Sequence, residues 1–426
     1  DIGSFFFLFL ITLFFGSLIF FKRKNLKKTS IFEKIITVIT GYLLIPILLA
    51  IPYYLILNNL SLFDAYFESV SGFTSTGFTV FENIKHLNQS LILWRSSTQW
   101  IGGLYFLFSI IFLIDIYDKN IKKTLTNFIS FDSSEVFKQA IKIFLLYSAL
   151  TLIIFIILNF FSIRSFNSLN LAFTIISSGG FLPVNELSNI IKDNKQLIVL
   201  SLLMLTSFFS IFFSYNLIFI KNRNINFFYE DFHLIIYLIF VTFIFLFFFS
   251  FNNDFLFNFF SLISSISNIG FSLDSNQKNL SFIFLILVII GGSFFSTSSG
   301  LRFSKLFLLF KFSMNELVSH AKPKNVYPNR LPFFNINLEI EDFYKYFLSV
   351  VIFVISLSIL SLFLTISGIS SEISFKLSIL TLMNTVNSSL TNLENFNFYE
   401  LSVFSKFSLI LFMMIGRVEL LSILII

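Results

Sequence analysis

Four times along the 426 residues the same unit recurs: a long apolar run, a shorter apolar run, a polar loop and a second long apolar run. The units cover roughly 35–115, 137–220, 231–312 and 343–426, and an internal repeat on this scale constrains the architecture more than any single residue. Long runs lie near 5–21, 35–57, 91–115, 137–160, 194–220, 231–251, 279–312, 343–366 and 400–426. Each approaches or exceeds the ~20 residues that carry a helix across a bilayer. The short runs, near 61–73, 165–177, 254–267 and 372–383, cannot cross and read as re-entrant or core helices.

Composition supports a membrane solvent. Hydrophobic residues make up 56% of the chain and charged residues 12%, whereas soluble domains carry about 25% charge. The absence of Cys excludes disulfides, thiolate metal sites and Cys nucleophiles. His86, His233 and His320 are too scattered to suggest a metal cluster or a membrane-embedded enzyme. No dinucleotide fingerprint or phosphate-cradling motif is present, so no cofactor, nucleic-acid partner or enzymatic activity is expected of the chain itself. No basic region precedes the first apolar run; a cleavable leader is not read there, and the reading frame is expected to start further upstream.

Sidedness follows from Lys and Arg. Loops 22–34, 116–142, 221–233 and 301–345 hold 20 of the 29, which places them in the cytoplasm. The opposite face holds 7 against 10 acidic residues, a balance that concentrates cations at an entrance. Solvated loop charges without a role are the plain alternative.

The polar loops align. They read Ser71-Gly72-Phe73-Thr74-Ser75-Thr76-Gly77-Phe78-Thr79, Ile176-Ser177-Ser178-Gly179-Gly180-Phe181-Leu182-Pro183, Ser267-Asn268-Ile269-Gly270-Phe271-Ser272 and Asn384-Thr385-Val386-Asn387-Ser388-Ser389. Gly77-Phe78, Gly180-Phe181 and Gly270-Phe271 occupy one position, and the alignment assigns Asn387 to the Gly position in the fourth loop. Non-helical backbone at membrane depth survives only inside protein or along a water-filled cavity. Four such loops around an axis offer rings of carbonyl oxygens that replace an ion's hydration shell. Gly permits the backbone angles that turn successive carbonyls inward. The hydroxyls of Thr74, Thr76 and Ser178 are further candidate ligands, and the short helices aim their partly negative C-terminal ends at the same centre.

With these motifs in view, the chain resembles the Trk/Ktr/HKT superfamily of potassium transporters in its bacterial Trk-type form. The resemblance rests on Phe67-Glu68-Ser69-Val70-Ser71-Gly72-Phe73-Thr74-Ser75-Thr76-Gly77 and Leu93-Trp94-Arg95-Ser96-Ser97-Thr98-Gln99-Trp100-Ile101-Gly102-Gly103. Gly291-Gly292-Ser293-Phe294-Phe295-Ser296-Thr297-Ser298-Ser299-Gly300-Leu301-Arg302 and Gly416-Arg417-Val418-Glu419 complete it. It implies an all-α integral membrane protein: four membrane helix–pore loop–membrane helix repeats around a pseudo-fourfold pore. The expected divisions are 1–34 (an extra N-terminal helix and basic loop), then repeats at 35–136, 137–230, 231–342 and 343–426. In the family two extra helices often precede the repeats, and 5–21 would be the second.

The same resemblance implies potassium as the substrate, held by Thr76, Gly77, Gly179, Gly180, Ile269, Gly270, Val386 and Asn387, with Thr74, Ser75, Ser178, Asn268 and Thr385 completing the filter. It implies a homodimer in the bacterial cytoplasmic (inner) membrane, surrounded by lipid and regulated by a cytoplasmic nucleotide-binding subunit of Trk type. Asn387 departs from the family's Gly, so a mixed sodium/potassium pathway and a non-conducting homologue stand as alternatives. A secondary transporter coupling two solutes fits less well, since it is usually built on paired repeats with broken helices.

Two intramembrane features suggest a gate. The run at 279–312 is interrupted by Gly291, Gly292, Ser293, Ser296, Thr297, Ser298 and Gly300, either an unwound loop beneath the filter or a kink packed through small residues. Arg417 lies inside the last span, where an Arg is a functional hypothesis by default. The resemblance implies that it projects into the pore below the filter; snorkelling to the cytoplasmic edge is the alternative. Arg95, beside Trp94 and Trp100, is expected to anchor the outer end of its span or to pair with Asp64 or Glu68.

Overall fold

The computed structural model describes residues 2–21, 30–113, 136–219, 229–249, 255–273, 280–321 and 340–418. The basic cluster Lys22-Arg23-Lys24 with Lys27-Lys28, much of the other basic segments and Glu419 lie outside the described residues. After a leading helix, Ile2–Phe21, the repeated unit appears four times. Repeat one comprises Ile31–Ile56, the short helix Leu62–Phe73 and Gln89–Phe112. Repeat two comprises Val136–Phe160, Ser165–Ser177, Asn194–Phe208 and Ile211–Phe219. Repeat three comprises Tyr229–Phe249, Phe255–Ile266, Ser281–Ile289 and Phe303–Ala321, and repeat four Ile340–Ile366, Ser371–Leu382 and Val403–Arg417.

Polarity is distributed as a lipid solvent requires. Leu152, Phe240 and Leu362 are among the exposed apolar side chains, while Glu68, Ser71, Thr76, Asn268 and Asn384 are buried. Buried polar groups are the informative ones, and here they collect where the four short helices end. Three helices, at Ile31–Ile56, Lys138–Phe160 and Phe343–Ile366, are individually long and apolar enough to cross a membrane among the described residues.

Two of the expected spans are broken. The break at 290–302 was legible in its Gly and Ser content. The other was not: the run at 194–220 stops at Phe208 and restarts at Ile211. Phe209 is extended, and the next two N–H groups find partners outside the helix. Ser210 N donates to Asp231 Oδ1 at 2.9 Å and Ile211 N to the Phe295 carbonyl at 3.0 Å. External acceptors thus replace the helical ones that an unbroken span would use.

The short helices stop by a shared device. Ser75, Ser178, Asn268 and Asn384 each take a left-handed conformation, with φ of 57°, 57°, 59° and 47°. Each donates its N–H three residues back, to the carbonyls of Gly72, Ile175, Ser265 and Thr381. The long helices close on these ends through glycine: a Cβ on Gly102 would collide with the Phe73 carbonyl, and one on Gly416 with the Leu382 carbonyl.

Candidate functional site

Counting from the four left-handed residues gives the register of the loops. Gly77, Gly180 and Gly270 fall two residues on, with φ of 86°, 83° and 78°. The fourth residue in that register is Val386, not Asn387, which falls instead with Phe78, Phe181 and Phe271. This corrects the sequence alignment, in which the small polar Asn was matched to Gly by its neighbours. The Asn387 amide turns away and donates to the Leu393 carbonyl at 2.9 Å.

In the first three loops a hydroxyl on the short helix ties down the carbonyl that follows Gly. Ser71 Oγ donates to Phe78 O at 2.6 Å, Thr174 Oγ1 to Phe181 O at 2.9 Å and Ser264 Oγ to Phe271 O at 2.8 Å. Leu380 stands at the corresponding place in the fourth repeat and has no hydroxyl to give. A backbone held this way presents its remaining carbonyls in fixed directions.

Side chains then link the loops into a closed ring. Gln99 grips the second loop from the helix of repeat one, donating from Nε2 to Gly179 O at 2.6 Å and accepting from Phe181 N at 3.2 Å. Ser178 Oγ donates to Ser267 O at 2.6 Å, and Asn268 Nδ2 donates to Val288 O at 2.9 Å and Met383 O at 3.3 Å. Asn384 Nδ2 donates to Thr76 Oγ1 at 3.0 Å and to Met413 O at 2.9 Å, which returns the ring to the first loop. Thr76 Oγ1 also meets Thr74 Oγ1 at 2.8 Å. The hydroxyls of Thr74, Thr76 and Ser178, considered above as ion ligands, are therefore engaged in bracing the loops.

The interrupted helix of repeat three lies against this ring. Ile290–Gly291 and Leu301–Arg302 pair as a short parallel bridge that closes the base of the loop between them. That loop is buried from Gly292 to Ser299. Ser293 N and Ser298 N donate to the carbonyls of Phe208 and Ser207, at the break in repeat two, each at 3.0 Å. Thr297 Oγ1 donates to Ile176 O, at the end of the second short helix, at 2.6 Å. Glu230 Oε1 accepts from Phe294 N at 3.0 Å. An unwound loop is what the structure holds here, and not a kinked continuous helix.

Arg417 is buried and does not snorkel. It donates to Ser299 Oγ, and its Nη2 lies 3.4 Å from Ser75 Oγ and 3.5 Å from Ser177 O. It therefore joins the unwound loop to the ends of the first and second short helices. Its guanidinium stacks 4.3 Å from the Phe106 ring centre, and that of Arg302 lies 5.1 Å from the same ring. Arg302 threads the unwound loop, donating from Nη1 to Ser293 O at 3.0 Å, Ser298 O at 2.9 Å and Ser296 Oγ at 3.1 Å. A cavity of about 30 Å³ lies here, lined by Arg302, Lys305, Arg417, Phe106, Ser299 and Leu382 among others.

Arg302, Gln99, Glu230 and Asp231 were not singled out from the sequence. Arg302 carried the same signal as Arg417, a basic residue within an apolar run. Arg95 is buried and pairs with Glu68, with Nε to Oε1 at 2.9 Å. Asp64, the other candidate partner, pairs with Lys406 of repeat four at 2.6 Å.

No family model matches the chain. An uncharacterized cation transporter of Methanocaldococcus jannaschii is 26% identical over 320 residues, covering 71% of this chain and 63% of that protein. The Trk system potassium uptake protein TrkH of Escherichia coli K12 is 24% identical over 388 residues, covering 86% and 79%. The chain thus spans somewhat under two thirds of the archaeal relative's length. Among solved structures, the crystal structure of the potassium transporter TrkH from Vibrio parahaemolyticus has the same fold, with a TM-score of 0.83 at 20% identity over 99% of this chain and 91% of that one.

Proposed function

We propose that this chain, which belongs to the Trk/Ktr/HKT superfamily of potassium transporters, is the membrane subunit of a potassium uptake system. The observation that carries the reading is the convergence of three hydroxyl-tied Gly-Phe loops and a fourth strand on one level, linked side chain to side chain. Carbonyls of Thr76, Gly77, Gly180, Ile269 and Gly270 are the ligands a dehydrated cation would meet there, with the Gly179 carbonyl already accepting from Gln99 Nε2 and the fourth strand supplying Thr385, Val386 and Asn387. The bracing hydroxyls and amides keep those oxygens from relaxing around a smaller ion. The ends of the short helices add partial negative charge at the same point.

Below that level the reading assigns a barrier to Arg417, with Arg302 and Lys305 behind it. At an effective dielectric near 20, a cation about 4 Å from one such charge is repelled by ~4 kcal/mol. Opening would require the loop 291–300 to withdraw and carry the Arg417–Ser299 contact with it. The inward gradient is sustained by membrane potential, worth ~2.3 kcal/mol per charge per 100 mV, with no covalent chemistry. A second copy of the chain, a cytoplasmic nucleotide-binding subunit and residence in the bacterial inner membrane belong to the same proposal as what the family resemblance implies; the relatives' names support only a place in a Trk system.

Growth of a potassium-uptake-deficient bacterial host at limiting potassium tests it. Rescue by this chain, lost in Gly180→Asp at equal membrane abundance, is the expected result; no rescue at any potassium concentration that limits the host contradicts it.

A further inference from the structure

The three left-handed glycines share one neighbour. A Cβ built on Gly77 would stand 3.0 Å from Val386 Cβ, one on Gly180 2.7 Å from the same atom, and one on Gly270 2.8 Å from Val386 Cγ1. These are positions on three different loops, and all three face a single isopropyl group. That group therefore stands where the strands come closest together. The backbone explains how it gets there. Val386 occupies the glycine register without a positive φ, so its carbonyl does not repeat the turn that the three glycines make, and its side chain is set inward instead.

A side chain of this size at this point is costly for an ion. A dehydrated cation needs the oxygen ligands of the strands around it in place of its water shell, and the isopropyl group fills the space between those strands. The first three strands could still supply theirs, since in each the tie on the Phe carbonyl leaves the remaining carbonyls held in place. The fourth strand has Leu380 in place of the tying hydroxyl, so the tie that holds the other three is not available to it.

We infer that the Val386 side chain is a constriction within the filter level that sets both the throughput and the size limit of the cation pathway. Conduction requires the fourth strand to move the isopropyl group aside. This rests on the proposed cation pathway and assigns its rate-determining contact. Val386 acts by bulk, so the volume of the side chain matters and its polarity does not.

Initial rubidium uptake into proteoliposomes of the purified full chain, under an imposed potential, separates the possibilities. Val386→Gly is expected to raise the rate roughly tenfold, the change that 1.36 kcal/mol of barrier produces, and to admit caesium. Val386→Ala is expected to fall between, and Val386→Thr, equal in volume but with a hydroxyl, to match wild type. Uptake by Val386→Gly from a silent wild type supports the constriction equally. Wild-type uptake left unchanged by Val386→Gly overturns it and leaves the proposed function standing, and so does a gain in Val386→Thr as large as that in Val386→Gly. Absence of uptake by both wild type and Val386→Gly, at matched melting temperatures, overturns the proposed function and the constriction with it.

Discussion

The first and fourth repeats use the same elements and hold them in opposite ways. In the first, the short helix is fastened from several sides: Glu68 accepts from Arg95, Thr79 Oγ1 and Val80 N, and Asp64 accepts from Lys406 of the fourth repeat. Ser71 then ties the Phe78 carbonyl, and the Arg95 guanidinium stacks 4.2 Å from the Phe181 ring centre of the neighbouring loop. In the fourth, the ion pair on the short helix is Glu372–Lys376, with the Glu side chain 76% exposed, and Leu380 ties nothing. The lesson is that a pseudo-fourfold arrangement does not make four equivalent strands. Three are built to hold carbonyls still, and the fourth is the one a change of side chain reaches most directly.

The largest expected effect comes from the best-fastened end of the comparison. Arg95→Ala leaves Glu68 buried without its charge partner, which costs about 3–5 kcal/mol, and should appear as a large drop in melting temperature in detergent. Next is Gly180→Ala. The left-handed backbone alone costs an L-residue ~1–2 kcal/mol, and the added carbon meets Val386 Cβ at 2.7 Å, so rubidium uptake should be lost while the protein still reaches the membrane. Thr174→Val removes one tie at nearly constant volume and should cost about 1 kcal/mol, with sodium competing more strongly as the second loop loosens. Asn387→Gly should change selectivity little, because its amide is bound to Leu393 O; a sharp gain in potassium preference would show that Asn387, and not Val386, is the residue at the ion. Lys376→Ala should be smallest, since its i,i+4 partner Glu372 is an exposed carboxylate that water screens. A melting shift as large as that of Arg95→Ala would erase the contrast between the repeats.

Much of this was readable from the chain itself. Apolar runs and their lengths set the helices, so the short helices at Leu62–Phe73 and Ser165–Ser177 fall within a residue or so of expectation. Gly-Phe recurrence located three loops, because a backbone with φ near 80° favours Gly and a Gly-Phe pair at the same place in three repeats seldom arises by chance. The fourth loop was misplaced by one residue for the same reason: with no Gly to mark the register, only the left-handed Asn384 reveals it, and φ is not written in the sequence. The break at Phe209–Ser210 was invisible because its cause, Asp231 and the Phe295 carbonyl, comes from repeat three. Gln99 was missed likewise, since a lone Gln in a helix carries no periodic signal and its partners lie 80 and 82 residues away.

The most direct measurement is rubidium uptake in a potassium-uptake-deficient bacterial host, with potassium and sodium as competitors, comparing wild type with Gly180→Asp. The account predicts uptake that potassium suppresses far more than sodium does and that Gly180→Asp abolishes. Uptake that persists in Gly180→Asp, or equal suppression by sodium and potassium, would contradict a potassium pathway through the four loops.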